Sequence, residues 1–184
     1  MLDRDGVINF DSDDYIKSPD EWLPIPGSLD AIARLNRGGY LVAVATNQAA
    51  VGRGLMTLDV LDSIHRKMED ALSAAGAHID VVVYCPHAPE AQCECRKPKA
   101  GLLRMIGERF GVDLRGAPFV GDSIADVRAA MVVGAKPILV LTGKGMTTLH
   151  DPSLPVDVAV FGNLADAVAS LLERPSKSLT AWRP

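Results

Sequence analysis

The chain has few cysteines and no excess of positive charge, and both shortages exclude classes of protein. Three cysteines among 184 residues cannot form a fully paired disulfide framework, so we expect a reducing compartment. With 19 basic against 23 acidic residues, the net charge of −4 argues against a nucleic-acid binder held mainly by phosphate charge. No apolar run reaches the roughly 18 residues of a membrane span, and the amino terminus shows no signal-peptide pattern. We therefore expect a cytoplasmic, monomeric protein that binds neither membranes nor nucleic acids.

Internal repeats and low-complexity segments are also missing, which excludes solenoids and repeat arrays. Hydrophobic residues make up 48% of the chain, enough for a protein of this length to bury a core without disulfides. We expect a single domain over residues 1–174. Residues 175–184 show no periodicity, and we expect them to form a mobile tail.

Patterns typical of buried strands alternate with helical patterns along the chain. Apolar runs rich in β-branched residues predict strands at residues 40–46, 79–85, 117–121, 137–141 and 156–161. Apolar residues at helical spacing predict helices at residues 29–35, 58–72, 102–110, 124–133 and 164–172. This alternation predicts an α/β fold: a Rossmann-like, mostly parallel sheet with helices on both faces.

Polar residues that follow the predicted strands mark a candidate site, because ligands of open α/β sheets bind beyond the carboxyl ends of the strands. Asp3 and Asp5 follow a short apolar stub, and Lys97 belongs to a long loop. The remaining candidates follow later strands: Thr46, Asn47, Gln48, Gly121, Asp122 and Ser123. Carboxylates that converge with a lysine and a hydroxyl indicate a hard divalent cation such as Mg²⁺ and a phosphate group.

The two-residue spacing of Asp3 and Asp5 suits phosphoryl transfer. One carboxylate can attack phosphorus and form an aspartyl phosphate, while the other protonates the leaving oxygen. The second acid can then deprotonate the water that hydrolyses the intermediate. Alone, such a pair is more typical of a solvated turn, and the polar residues at the other strand ends favour the catalytic interpretation.

All three cysteines lie in one loop together with a histidine. The pattern is Cys85-Pro-His87, five further residues, and then Cys93-Glu-Cys95. Three thiolates and an imidazole form a closed set of four ligands, which is typical of structural zinc rather than of a catalytic site with an open position. We predict a zinc-binding loop over residues 85–98 that positions Lys97.

Four short motifs resemble, in order, those of the haloacid dehalogenase (HAD) superfamily of phosphohydrolases: DRDGV at 3–7, TNQ at 46–48, RKP at 96–98 and GDSIAD at 121–126. The resemblance implies that Asp3 is the nucleophile and Asp5 the general acid/base. It implies that Thr46 and Lys97 neutralise the phosphoryl oxygens. It also implies that Asp3, Asp5 and Asp122 bind Mg²⁺, with Asp5 using its backbone carbonyl.

The zinc pattern, CPH followed by CxCRKP, is similar to that of a branch containing heptose bisphosphate phosphatases and histidinol phosphatases, and closer to the former. This resemblance implies removal of the C7 phosphate of D-glycero-D-manno-heptose 1,7-bisphosphate, on the route to nucleotide-activated heptose for lipopolysaccharide and other surface glycans. The implied substrate contacts are Asp11, Ser12, Asp13, Asp14, Asn47, Gln48, Arg53 and Arg96. Histidinol phosphate is the alternative substrate, and a phosphoacceptor signalling module is the alternative of another class.

Further expectations concern the surroundings of the site. The motifs are too close together to enclose a large cap domain, so the site should be open. Only Met1 and Leu2 precede Asp3, about 7 Å of extended chain, and we expect a truncated or mis-assigned start that holds Asp3 poorly. We expect His65 at the surface, whereas Trp22 either stacks on a sugar or packs its own loop.

Overall fold

The strands form one parallel sheet. In the computed structural model, which describes residues 1–173, they are β1 (Ala43–Asn47), β2 (Val81–Cys85), β3 (Pro118–Gly121), β4 (Lys136–Val140) and β5 (Ala159–Phe161). Within the sheet, β1 pairs with β2, β3 with β4, and β4 with β5. The predicted parallel α/β fold is confirmed, and the tail expected at 175–184 lies outside the described residues.

Helices connect the strands. They are α1 (Ser28–Arg37), α2 (Ala49–Gly52), α3 (Leu58–Ala74), α4 (Gly101–Phe110), α5 (Ile124–Val132), α6 (Gly145–Leu149) and α7 (Leu164–Glu173). Short 3₁₀ turns occur at Pro19–Glu21 and Pro89–Ala91. Among residues 1–173, no helix is long and apolar enough to cross a membrane.

Leu2 joins the two groups of strands. It bridges in parallel to Val44 of β1 and to Val120 of β3. The Leu2 N–H donates to the Ala43 carbonyl, and the Asp3 N–H donates to the Val120 carbonyl, each at 2.8 Å. The expectation that Asp3 is poorly held is therefore wrong, because even a two-residue stub bonds to a strand on each side.

Successive side chains of β1 point into two different cores, as the period-two geometry of a strand requires. Val44 packs in the core formed with α1, α3 and α7, whereas Ala43 and Ala45 pack in the core formed with α4 and α5. Helices therefore cover both faces of the sheet. The segments between the motifs form α1, a rim loop at residues 9–26 and the cysteine loop, so no large cap covers the site within the described chain.

Both ends of α3 carry residues that favour the start and the end of a helix. The Thr57 hydroxyl accepts the Val60 N–H, as an N-cap residue does, and Gly76 adopts a left-handed φ of 68° directly after the C-cap residue of α3. The prediction of a fifth strand beginning at residue 156 is wrong, because the Val156 side chain is fully exposed and the strand starts only at Ala159. The short helices α2 and α6 were not predicted.

Candidate active site

A cleft of about 360 Å³ lies beyond the carboxyl ends of the strands. The turn after Leu2, the rim loop at residues 9–26, the segments after β1, β3 and β4, and the loop after β2 contribute its walls. The predicted phosphoryl-transfer residues all line it: Asp3, Asp5, Thr46, Lys97 and Asp122. The parallel sheet therefore gathers residues that are up to 119 positions apart in the sequence.

The Lys97 ammonium lies between two carboxylates on the floor of the cleft. Its Nζ is 2.8 Å from Asp3 Oδ1 and 2.6 Å from Asp126 Oδ1, and it donates to the Ala45 carbonyl at 2.8 Å. Burial alone would lower the pKa of Lys97, but the charges of Asp126 and Asp3 outweigh burial and raise that pKa. Lys97 is therefore a constant positive charge beside Asp3.

The acidic side chains of the cleft fit a divalent cation. Asp3, Asp122 and Asp126 each place one carboxylate oxygen within 4.8 Å of the others. Burial and the charge of Asp126 raise the pKa of Asp3, and the same two causes raise the pKa of Asp122 to about 7. Three buried carboxylates around the Lys97 ammonium concentrate negative charge, and hard oxygen ligands of this kind are those that Mg²⁺ prefers.

Asp122 is held tightly in place. Its Oδ2 accepts the backbone N–H of Lys144 at 2.7 Å, and its backbone carbonyl accepts the Thr148 hydroxyl at 2.8 Å. Gly6 lies against it with a left-handed φ of 79°, and a Cβ atom at Gly6 would lie 2.6 Å from the Asp122 carboxyl carbon. Both the backbone conformation and the space therefore require glycine in the DRDG motif.

The Asp5 carboxylate is surrounded by hydrogen-bond donors. Arg4 donates through Nε and Nη2 at 2.9–3.0 Å, Asn9 through Nδ2 at 2.8 Å and Gln48 through Nε2 at 2.9 Å. Burial would raise the pKa of Asp5, but the Arg4 charge and these hydrogen bonds outweigh burial and lower it. Asp5 is therefore ionised in this arrangement.

His65 is buried, not exposed, which corrects the expectation from the sequence. It lies on α3 with its Nε2 3.3 Å from Nη1 of Arg4, a side chain that is itself completely buried. The polar neighbours of His65 in sequence suggested a surface position, but the apolar residues at helical spacing include position 65 on the core face. Its partner Arg4 directly follows Asp3 in the sequence. This position next to the predicted nucleophile was the available sequence signal that Arg4 belongs to the site.

The TNQ motif contributes one hydroxyl and two amides. Thr46 is buried, and its Oγ1 accepts the Gln48 amide at 2.9 Å, which leaves the hydroxyl hydrogen free to donate into the cleft. The Asn47 amide bonds to both backbone groups of Lys97, at 3.1 Å each. The predicted substrate contacts Asn47 and Gln48 thus line the cleft with amide groups already bonded to Lys97, Asp5 and Thr46.

Cys85, His87, Cys93 and Cys95 form a compact cluster that could hold a metal ion. The sulfur atoms lie 3.0–3.5 Å apart, and His87 Nδ1 lies 3.3 Å from the Cys95 sulfur and 3.6 Å from the Cys85 sulfur. Tetrahedral zinc with sulfur at about 2.3 Å places its sulfur ligands roughly 3.8 Å apart, so a small expansion accommodates the ion. The predicted Cys₃His ligand set fits structural zinc.

The cysteine loop packs against two glycines. A Cβ atom at Gly52 of α2 would lie 2.6 Å from the Ala88 backbone nitrogen, and one at Gly101 of α4 would lie 2.7 Å from Cys95 Cα. Arg53 adds an exposed ion pair with Glu90 at 3.1 Å. The loop is therefore fixed between α2 and α4 immediately before it delivers Lys97 to the cleft.

The remaining predicted substrate contacts divide into two groups. Asp11, Ser12, Asp13 and Arg96 line the cleft, whereas Asp14 and Arg53 do not. Trp22 is completely buried, so it packs its loop.

Sequence reasoning missed Lys144. This residue also lines the cleft, and its Nζ lies 3.3 Å from Asp11 Oδ2. Lys144 lies in the segment that follows β4, so a search for polar residues after each strand would have found it.

The sequence is similar to a known protein family and to individual known proteins. A family model described as HAD-hydrolase-like matches residues 94–167. The D-glycero-beta-D-manno-heptose-1,7-bisphosphate 7-phosphatase of Pseudomonas aeruginosa is 53% identical over 173 residues, 94% of this chain and 97% of that protein. The corresponding protein of Pseudomonas putida is 49% identical over 172 residues, 94% of this chain and 98% of that protein.

Two solved structures are also similar to this chain. The D,D-heptose 1,7-bisphosphate phosphatase of B. bronchiseptica, complexed with magnesium and phosphate, is similar with a TM-score of 0.91 and 48% identity, covering 93% of this chain and 96% of that one. The D,D-heptose 1,7-bisphosphate phosphatase of Burkholderia thailandensis is similar with a TM-score of 0.75 and 43% identity, covering 94% of this chain and 97% of that one.

Proposed function

The chain belongs to the HAD superfamily of hydrolases, and from this premise we propose that it is a Mg²⁺-dependent phosphatase that works through an aspartyl phosphate. One observation carries the proposal: the Lys97 ammonium bonds to Asp3 in a cleft that also holds the buried carboxylate of Asp122, with Asp126 behind it. That combination of a nucleophile, a fixed cation and a hard-cation site is what a phosphoryl group requires.

The cation site consists of the carboxylates of Asp3 and Asp122 with the backbone carbonyl of Asp5. Bound Mg²⁺ neutralises charge on the phosphoryl oxygens and on the nucleophile. A relative with 48% identity has been solved with magnesium and phosphate, which supports the same assignment here. Asp126 lies behind the site, where it bonds to Lys97 and caps α5 through Ser123.

In the first half-reaction, an Asp3 carboxylate oxygen attacks phosphorus and the bond from phosphorus to the substrate oxygen breaks. Asp5 donates a proton to the departing alkoxide, so the products are the free alcohol and phosphorylated Asp3. Lys97 and the Thr46 hydroxyl balance the charge on the phosphoryl oxygens. Because Asp5 is ionised when bonded to Arg4, it must take up a proton in the substrate complex before this step.

In the second half-reaction, Asp5 accepts a proton from water as the water oxygen attacks phosphorus. The bond from phosphorus to Asp3 breaks, which releases inorganic phosphate and restores the Asp3 carboxylate. The ionised state that Arg4 favours is the form of Asp5 that this step needs. One carboxyl group thus serves as acid and then as base.

The substrate we propose is D-glycero-D-manno-heptose 1,7-bisphosphate, which loses its C7 phosphate on the route to nucleotide-activated heptose for bacterial surface glycans. Support comes from the relatives that carry this activity in their names at 48–53% identity. With no large cap over the cleft among residues 1–173, its rim must select the substrate. The proposed rim contacts are Asp11, Ser12, Asp13, Asn47, Gln48 and Arg96.

The proposed zinc is structural. Its four protein ligands leave no open position, and the loop that they would close leads directly into Arg96 and Lys97. We also propose a cytoplasmic monomer, since the chain itself supplies the full set of predicted phosphoryl-transfer residues and a sugar bisphosphate is too highly charged to cross a membrane unaided.

The test is steady-state phosphate release from three substrates, assayed in parallel: the β anomer of the heptose bisphosphate, its α anomer and histidinol phosphate. We expect the highest kcat/KM on a heptose bisphosphate. Without Mg²⁺ we expect no phosphate release. An Asp3→Asn preparation, purified in the same way, controls for contaminating phosphatases. A higher kcat/KM on histidinol phosphate would overturn the proposed substrate, and a phosphoenzyme that persists for many minutes would favour a signalling role.

A further inference from the structure

Arg4 is a completely buried arginine whose guanidinium contacts two side chains within the described chain. Its Nε and Nη2 atoms bond to the Asp5 carboxylate, and its Nη1 lies 3.3 Å from Nε2 of His65. A buried guanidinium is costly unless its donors are satisfied, so both partners are needed to hold it. His65 and Asp5 therefore contact different nitrogen atoms of one rigid, planar group.

The hydrogen-bonding chemistry of this contact determines the tautomer and the charge of His65. A guanidinium only donates hydrogen bonds, so Nε2 of His65 must accept, and the ring proton lies on Nδ1. Burial and the Arg4 charge lower the pKa of His65 to about 4, which agrees with a neutral ring. The Tyr84 ring packs against it, with ring centres 5.8 Å apart, and limits its rotation.

A histidine at this position is not explained by packing alone. Position 65 lies on the core face of α3, between the completely buried Ile64 and Met68. An apolar residue there would bury as much surface without a polar cost, but it would leave Nη1 of Arg4 unpaired. The feature that distinguishes histidine at this site is its hydrogen-bond acceptor.

We propose that His65 is a positioning residue that orients the Arg4 guanidinium and, through it, the carboxylate of Asp5. Arg4 supplies three of the five donor contacts to that carboxylate, so a rotation of its planar group displaces the acid/base. Displacement of a reacting group by about 1 Å reduces turnover by about 100-fold. The inference rests on the proposed phosphatase function and adds a residue outside its four motifs.

The decisive comparison is His65→Gln against His65→Leu. Glutamine offers an acceptor oxygen to Arg4, whereas leucine fills similar space with none. We expect His65→Leu to lower kcat by 10- to 100-fold with KM changed less than about two-fold, and His65→Gln to recover most of the kcat. Arg66→Ala, an exposed change on the same helix, should match the wild type.

Equal losses in the two His65 variants, or a wild-type kcat in His65→Leu, would overturn the inference while leaving the proposed function intact. A wild type that releases no phosphate would overturn both. Imidazole ¹⁵N chemical shifts of the wild type test the inference without any variant. We expect Nε2 of His65 to be unprotonated at neutral pH, and a proton on Nε2 would exclude the bond to Arg4 and overturn the inference.

Discussion

The Asn47 side chain holds the backbone of Lys97 through both its N–H and its carbonyl. Asn47 Nδ2 donates to the Lys97 carbonyl and Asn47 Oδ1 accepts the Lys97 N–H, each at 3.1 Å. A residue at the end of β1 thereby fixes a lysine that enters from the cysteine loop. The two motifs are separated in sequence but act as one structural unit.

Asn47→Asp should impair turnover more than substrate binding. Aspartate keeps an acceptor for the Lys97 N–H but loses the donor to the Lys97 carbonyl, so the carbonyl faces a carboxylate. We expect kcat to fall by about 10-fold, in line with one lost hydrogen bond near the reacting atoms. Steady-state kinetics check this, and an unchanged kcat with a raised KM would contradict the positioning role and leave only the proposed substrate contact.

Asp3→Asn and Asp5→Asn should fail at different steps. The amide introduced by Asp3→Asn cannot form an acyl phosphate, so no phosphoprotein should appear after acid quenching. The amide introduced by Asp5→Asn cannot deprotonate water, so phosphoprotein formed from an activated aryl phosphate should accumulate. Both variants should lose at least about 1,000-fold in kcat. Rapid quench with ³²P-labelled aryl phosphate is the measurement, and labelled Asp3→Asn would exclude Asp3 as the nucleophile.

Cys93→Ser should remove zinc and, with it, the placement of Lys97. Because three remaining ligands hold zinc far more weakly, we expect less than one equivalent of bound metal and a large loss of kcat/KM. Metal content by mass spectrometry and phosphate release are measured together. Glu94→Gln is the matched control in the same loop, since the Glu94 side chain makes an exposed pair with Lys99 and should retain both zinc and activity when changed.

Gly101→Ala should separate the cysteine loop from α4. The new Cβ would lie 2.7 Å from Cys95 Cα, so backbone must move, at a cost of about 1–3 kcal/mol in the free energy of unfolding. Gly107→Ala, later in the same helix, provides the comparison because its nearest contact would be 3.2 Å. Urea unfolding of both variants checks this, and equal effects would contradict the proposed contact.

Protein stability should fall with acidification partly through His65. The unfolded chain protonates His65 below pH 6.5, whereas the folded protein does so only below about pH 4. Between these values the unfolded state binds more protons, so the free energy of unfolding decreases as the pH falls, by up to about 3 kcal/mol. His65→Gln lacks this titration, so its unfolding free energy should change less between pH 6.5 and pH 4. Identical pH slopes would contradict a buried neutral His65.

The sequence alone determined the fold class and the type of reaction, and it predicted the residues of the site. Continuous apolar runs such as the one at residues 40–45 predict parallel strands because both faces of a parallel sheet are buried, and polar residues after such runs predict a site at the strand ends. The cysteine loop was equally clear, since four ligands within eleven residues need no distant partner. These inferences rested on the spacing of residues that are close together in the sequence.

Only the tertiary structure decided the contacts between distant segments. It placed His65 against Arg4, Lys144 beside Asp122 and Asn47 on Lys97, and it showed that Leu2 joins the sheet. None of these pairs is close in sequence, and the polar neighbours of His65 in the sequence suggested the wrong environment for it. The physical reason is that periodicity reports which face of an element is buried, whereas the partner on that face depends on how elements pack.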